Sequence, residues 1–236
     1  MANDEDGADA ELAAAMAAWA TARRDAAAHA TFNPGEAALH ARSLFGDAPE
    51  TALIAWRTLS SRASGLECIA VWGGSDPMQV ADLTRRRFGF HALLQPCATP
   101  EAAMAAAKGP GCAAVLALDS KTPWWGRMLV EPTLNVIALL PETRFESGVD
   151  ALAIAEVEVA PTGADETLWV TDAEGAGQSV EAGLSEAGFA ARWIAAAGGL
   201  KLFALAGYVQ REDPRLRSAP GRLSGVIGAV ASPYPA

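Results

Sequence analysis

The chain has 236 residues, a formal net charge of −10 and 51% hydrophobic residues, a share inflated by alanine. That length holds one large domain or two to three small ones. The acidic balance argues against nucleic acid or an anionic membrane surface as a partner, and no stretch approaches the ~18 uninterrupted apolar residues of a membrane-spanning helix.

Residues 1–8 read as a disordered acidic leader. Met1-Ala2-Asn3-Asp4-Glu5-Asp6 lacks the basic-then-apolar pattern of a secretory signal, so a cytoplasmic protein is expected. Asp9 can cap a helix from about 10 to 30, in which Leu12, Met16, Trp19 and Arg23 share one face. Thr31-Phe32-Asn33-Pro34-Gly35 breaks it. A second helix is expected from Glu36 to Phe45, and a third follows Pro49 through Leu53, Ile54, Trp56 and Leu59 to about Ser64. An arm this rich in alanine buries little by itself, so a homodimer is expected.

The central segment alternates short apolar strands with helices. Strands are expected over 69–72, 91–95 and 112–118, with helices over 77–88 and 100–108, which indicates a parallel or mixed sheet. Trp124-Trp125-Gly126-Arg127 is the most unusual local feature. Two adjacent tryptophans on a strand cannot both face one core, so one is expected inward and the other beside a groove or interface. An aromatic platform next to Arg127 could hold a carboxylated ring ligand; packing between domains is the plainer alternative. From about Thr167 onward the order reads strand, helix, paired strands around Gly198-Gly199, a short helix near 213–218, and a final strand over 224–230.

Cys68, Cys97 and Cys112 are odd in number and widely spaced in apolar surroundings, which favours free buried thiols over disulfides or metal ligands. No metal-ligand spacing, phosphate-binding glycine loop or Ser/His/Asp constellation is present in the sequence, so neither metal nor cofactor is expected.

The matching stretches resemble the chorismate mutase/prephenate dehydratase proteins. Phe32-Asn33-Pro34-Gly35-Glu36-Ala37 and Trp56-Arg57-Thr58-Leu59 resemble the F-R-P-x-R-E-A and W-R-E-L runs of all-helical chorismate mutases. Gly73-Gly74-Ser75-Asp76-Pro77 and Val115-Leu116-Ala117-Leu118-Asp119-Ser120 resemble turns of the dehydratase lobe, and Thr143-Arg144-Phe145 spells its T-R-F triplet. Asp213-Pro214-Arg215-Leu216 and the ending Val230-Ala231-Ser232-Pro233-Tyr234 resemble an ACT domain.

The resemblance implies an α+β multi-module chain. It divides into a chorismate mutase-like arm of three helices (9–65), a dehydratase-like α/β lobe (66–150) and an ACT-like βαββαβ domain (151–236). It further implies rearrangement of chorismate to prephenate, with Arg23, Arg24, Glu36 and Glu67 as catalytic candidates. Arg57, Ser120, Trp124 and Arg127 are the candidates for holding a small carboxylated aromatic-pathway metabolite. The alternative is a non-catalytic dimeric protein that binds such a metabolite or regulates its pathway. Mutase catalysis holds two carboxylates and an ether oxygen between fixed cations and donors. The first 22 residues contain no Lys or Arg, and Asn33 and Gly35 stand where the family has arginines. Where the chain gathers its cations therefore becomes the informative quantity.

Overall fold

The computed structural model describes residues 65–142, 148–163 and 165–231, together with Ala10, Ala13, Ala14, Ala17, Ala18, Thr21 and Arg57. Those isolated amino-terminal positions and Arg57 are helical. The leader, the remainder of the expected arm and the Thr143-Arg144-Phe145 triplet lie outside the described residues.

Nine strands form one mixed sheet: β1 (Cys68–Trp72), β2 (Leu93–Pro96), β3 (Cys112–Ala117), β4 (Leu134–Leu140), β5 (Ala151–Glu156), β6 (Asp165–Thr171), β7 (Ala191–Ala197), β8 (Leu200–Ala206) and β9 (Ser224–Ala231). Their order across the sheet is β2-β1-β3-β5-β4-β9-β6-β8-β7. From residue 65 onward the described residues add three α-helices, α1 (Pro77–Phe88), α2 (Pro100–Ala106) and α3 (Gly177–Glu186), with 3-10 helices at Trp124–Val130 and Pro214–Ser218.

Local chemistry sets the helix ends. The Asp76 carboxylate accepts the Gln79 N–H at 3.0 Å, Pro77 opens the first turn of α1, and Gly89 ends it with φ 75°. Thr99 caps α2 by accepting the Ala102 N–H at 3.2 Å, with Pro100 at the first position and Glu101 in the first turn. The strands β1 and β3 are buried almost throughout, as strands in a parallel array covered by helices must be. Both α1 and α2 pack on β1 and β3.

This architecture corrects the expectation of three separate modules. The strand β5, assigned by the sequence to a carboxy-terminal ACT-like domain, lies between β3 and β4 and pairs antiparallel with both. The later strands continue the same sheet through β9, which pairs parallel with β4 at Val136↔Gly228 and antiparallel with β6 over seven partners. The elements read from Thr167 onward exist, but burial of β5 in the earlier half makes them part of one sheet. An α+β chain of helical arm, lobe and ACT domain is thus replaced by a largely β architecture.

The 3-10 helix Trp124–Val130 covers the junction. A Cβ on Gly126 would overlap Leu200 of β8, and a Cβ on Gly225 of β9 would meet Leu129 at 2.9 Å. Trp124, Trp125 and Met128 enter the main core with Ile69, Leu116, Leu134, Leu152, Ile154 and Ile227. A smaller core under α3 gathers Trp169, Val180, Leu184, Phe189, Phe203 and Val226.

Candidate functional site

The order β2-β1-β3 with both pairs parallel creates a switch point between β1 and β3, and the crevice beyond the carboxyl ends of such strands is where open α/β sheets bind ligands. Here the chain fills much of that crevice itself. A Cβ placed on Gly74 would lie 3.0 Å from Asp119 Oδ2 and 3.1 Å from the Ala117 Cβ. Asp119 Oδ1 accepts the Lys121 N–H at 2.7 Å, and the Trp124 indole N–H donates to the Ala117 carbonyl at 2.7 Å, closing the end of β3. Gln79 Nε2 donates to Asp150 Oδ2 at 3.0 Å across the same edge.

A second place gathers cations. Leu83, Arg86 and Arg87 of α1, Leu140 at the end of β4, Pro141 and Glu142 after it, and Arg57 line a groove. Two guanidiniums share the Glu142 carboxylate: Arg87 Nε lies 2.5 Å from Oε1, and Arg57 Nε lies 3.4 Å from Oε2. The three side chains are 10%, 16% and 8% exposed in the order Arg87, Arg57, Glu142. Charges this far from water persist only because they are paired. The Arg87 guanidinium also lies 4.9 Å from the centre of the Phe88 ring, within cation–π range. Arg86 is exposed and pairs with Asp82 one turn earlier at 2.9 Å.

Among the described residues that were expected to act, Arg57 is the one that lines this groove. Ser120 is exposed in the turn after β3, and Glu67 is exposed immediately before β1. Because β1 and β3 run parallel in register, Glu67 and Ser120 stand at opposite ends of the strands and share no site. Trp124 and Trp125 are both buried, 2% and 0% exposed, and meet edge to face with ring centroids 6.1 Å apart. The expectation that one of them lines a groove is corrected: they sit in a 3-10 helix, not a strand, so consecutive side chains need not point to opposite faces. Arg127 is exposed and pairs with Glu101 at 3.0 Å. Arg23, Arg24 and Glu36 lie outside the described residues.

The sequence reading missed Arg86, Arg87 and Glu142. Arg85-Arg86-Arg87 was the available signal, three consecutive cations ending a helix in a chain short of them. Nothing local marks Glu142 as their partner. Among the described residues no group of three or more His, Cys, Asp or Glu side chains is arranged to hold a metal ion, and no helix is long and apolar enough to cross a membrane.

No family model matches the chain, and no curated protein matches it. A solved structure titled "GqqA- a novel type of quorum quenching acylases" is similar, at 18% identity and a TM-score of 0.44, over 71% of this chain and 95% of that one. The function expected from the chorismate mutase resemblance, with its isomerase, dehydratase-like and aromatic-pathway assignments, is corrected: no match supports it, and the segments expected to form a dehydratase-like lobe and an ACT-like domain share one continuous sheet.

Proposed function

We propose that the described part of the chain is a binding module for a small carboxylated ligand, held at the groove formed by Arg57, Arg86 and Arg87. The observation that carries this reading is the convergence of three guanidiniums on one groove in a protein of net charge −10. A guanidinium presents its N–H donors in a planar fork that matches a carboxylate, which makes arginine the residue suited to such recognition. Glu142 already occupies part of the site in the manner of a ligand carboxylate. Its 2.5 Å contact with Arg87 fixes the anchor, and its 3.4 Å contact with Arg57 is the one that a competing anion displaces.

The lining narrows the ligand. Leu83, Leu140 and Pro141 offer an apolar wall to the body of that acid.

Isothermal titration of the full chain with aliphatic and aromatic monocarboxylates, dicarboxylates and inorganic phosphate tests the proposal. Saturable binding of a carboxylate, weakened by added salt and lost in Arg57→Gln while the melting temperature is retained, is the expected result. A flat response to every carboxylate rejects it, as does binding that survives unchanged in Arg57→Gln.

A further inference from the structure

The two cysteines that open β1 and β3 face each other. Cys68 and Cys112 are direct register partners in the parallel pair, and their Sγ atoms lie 2.6 Å apart as free thiols. Neighbouring strands run ~4.7–4.9 Å apart, which places the two Cα atoms within the ~4.4–6.8 Å range that a disulfide spans. Both residues are half-buried, so a small reagent can reach them, and Gln95 of β2 lies on the same face with Oε1 3.9 Å from the Cys68 sulfur. Cys97 stands elsewhere, just beyond the far end of β2, with its thiol directed to the Gln95 carbonyl at 3.6 Å.

We propose that Cys68 and Cys112 form a dithiol site that exchanges with low-molecular-weight disulfides and closes a covalent cross-link between β1 and β3. Burial, together with the hydrogen bond to Cys112, pushes the Cys68 thiol up to about 11, so this member of the pair keeps its proton at neutral pH. Exchange opens on one sulfur of the pair, taken here as Cys112. Its thiolate attacks one sulfur of the reagent, the S–S bond of the reagent breaks, and the first half leaves as a thiolate that takes up a proton. Cys68 then loses its proton and attacks the Cys112 sulfur. The mixed disulfide breaks, the second half leaves as a thiol, and the protein has lost two hydrogens while the reagent has gained two. Exchange of this kind requires only a thiolate, an accessible sulfur and a second thiol in reach. The link joins residues 44 positions apart and ties the amino ends of two neighbouring core strands. In a reducing compartment such a bridge is transient.

The test incubates the folded full chain with oxidised glutathione, blocks remaining thiols with an alkylating reagent, and reads intact mass followed by peptide mapping. The expected product has lost two hydrogens, carries one alkyl group at Cys97, and yields a peptide pair joined through Cys68 and Cys112. Cys97→Ser leaves the cross-link intact, whereas Cys68→Ser stops the reaction at a stable glutathione adduct on Cys112. A cross-link that includes Cys97, glutathione adducts on the unaltered chain that never resolve, or three alkylated thiols after oxidation each overturn the proposal.

Discussion

Gly228 of β9 lies directly against the backbone of Val136 in β4, at the single register pair that joins the two halves of the nine-stranded sheet. A Cβ at position 228 would overlap the Val136 amide nitrogen and lie 2.7 Å from its carbonyl oxygen, and the glycine holds φ at 149°, a value that L-residues rarely adopt. The sheet is irregular on both sides of this contact, with register shifts between Val136 and Ala138 and between Leu168 and Trp169. The seam is a place where backbone meets backbone and no side chain fits.

Gly228→Ala is therefore expected to destabilise the protein by about 2 kcal/mol or more, combining backbone strain with displacement of β4 from β9. Urea unfolding followed by tryptophan fluorescence measures it. A loss below about 0.5 kcal/mol would show that the seam opens without cost.

The indole of Trp124 is a structural group. Trp124→Phe keeps most of the buried ring but removes the N–H that donates to the Ala117 carbonyl, and leaving that buried acceptor unpaired costs about 1–3 kcal/mol. Carboxylate binding at the arginine groove should be unchanged in this variant. Chemical denaturation and titration calorimetry on the same preparation separate the two effects.

Glu142 pairs with two nearly buried guanidiniums, so Glu142→Gln should cost about 3–5 kcal/mol by removing the charge that both of them face. Added small carboxylates should restore part of that loss by binding the folded state in place of the missing group. The double variant Arg87→Met, Glu142→Gln should be less destabilised than the sum of its single changes. Thermal melts with and without the carboxylate, against a chloride control, decide the matter.

Asp172 ties the entry of β9 to the end of β6. Its Oδ1 accepts the N–H groups of Leu223 at 2.9 Å and Arg222 at 2.7 Å, and these bonds, Leu223 foremost, hold the carboxyl below the usual carboxylate range. A depressed folded-state pKa stabilises the protein at pH values above the unfolded pKa, and the contribution is lost as the pH falls through the folded value. Asp172→Asn should thus lower the melting temperature at neutral pH, with the gap to the unaltered protein closing in acid. A gap independent of pH would assign the effect to lost packing instead of the charge.

Helix limits were legible because their chemistry is local. Asp76-Pro77 and Thr99-Pro100 cap their helices within four residues, Gly89 ends α1, and each is recognisable in a short window of sequence. The tryptophan pair was misread for the complementary reason. Its placement depended on whether the segment was strand or 3-10 helix, and two aromatic residues beside a glycine do not discriminate between them. Of the residues expected to bind ligand, Arg57 reaches the arginine groove while Ser120, Trp124 and Arg127 do not, since their neighbours come from folding and not from spacing.

The sequence by itself determined the capped starts of α1 and α2, the buried strands β1 and β3, and that a protein this acidic must collect its arginines to bind an anion. Only the tertiary structure decided that β5 joins the earlier strands, that Gly228 meets Val136, that Arg57 finds Glu142 from 85 positions away, and that Cys68 and Cys112 share a register. Caps and periodicities arise from interactions a few residues long. Strand order and register instead follow from which long-range pairing buries the most apolar surface while satisfying every backbone group, and no single segment carries that choice.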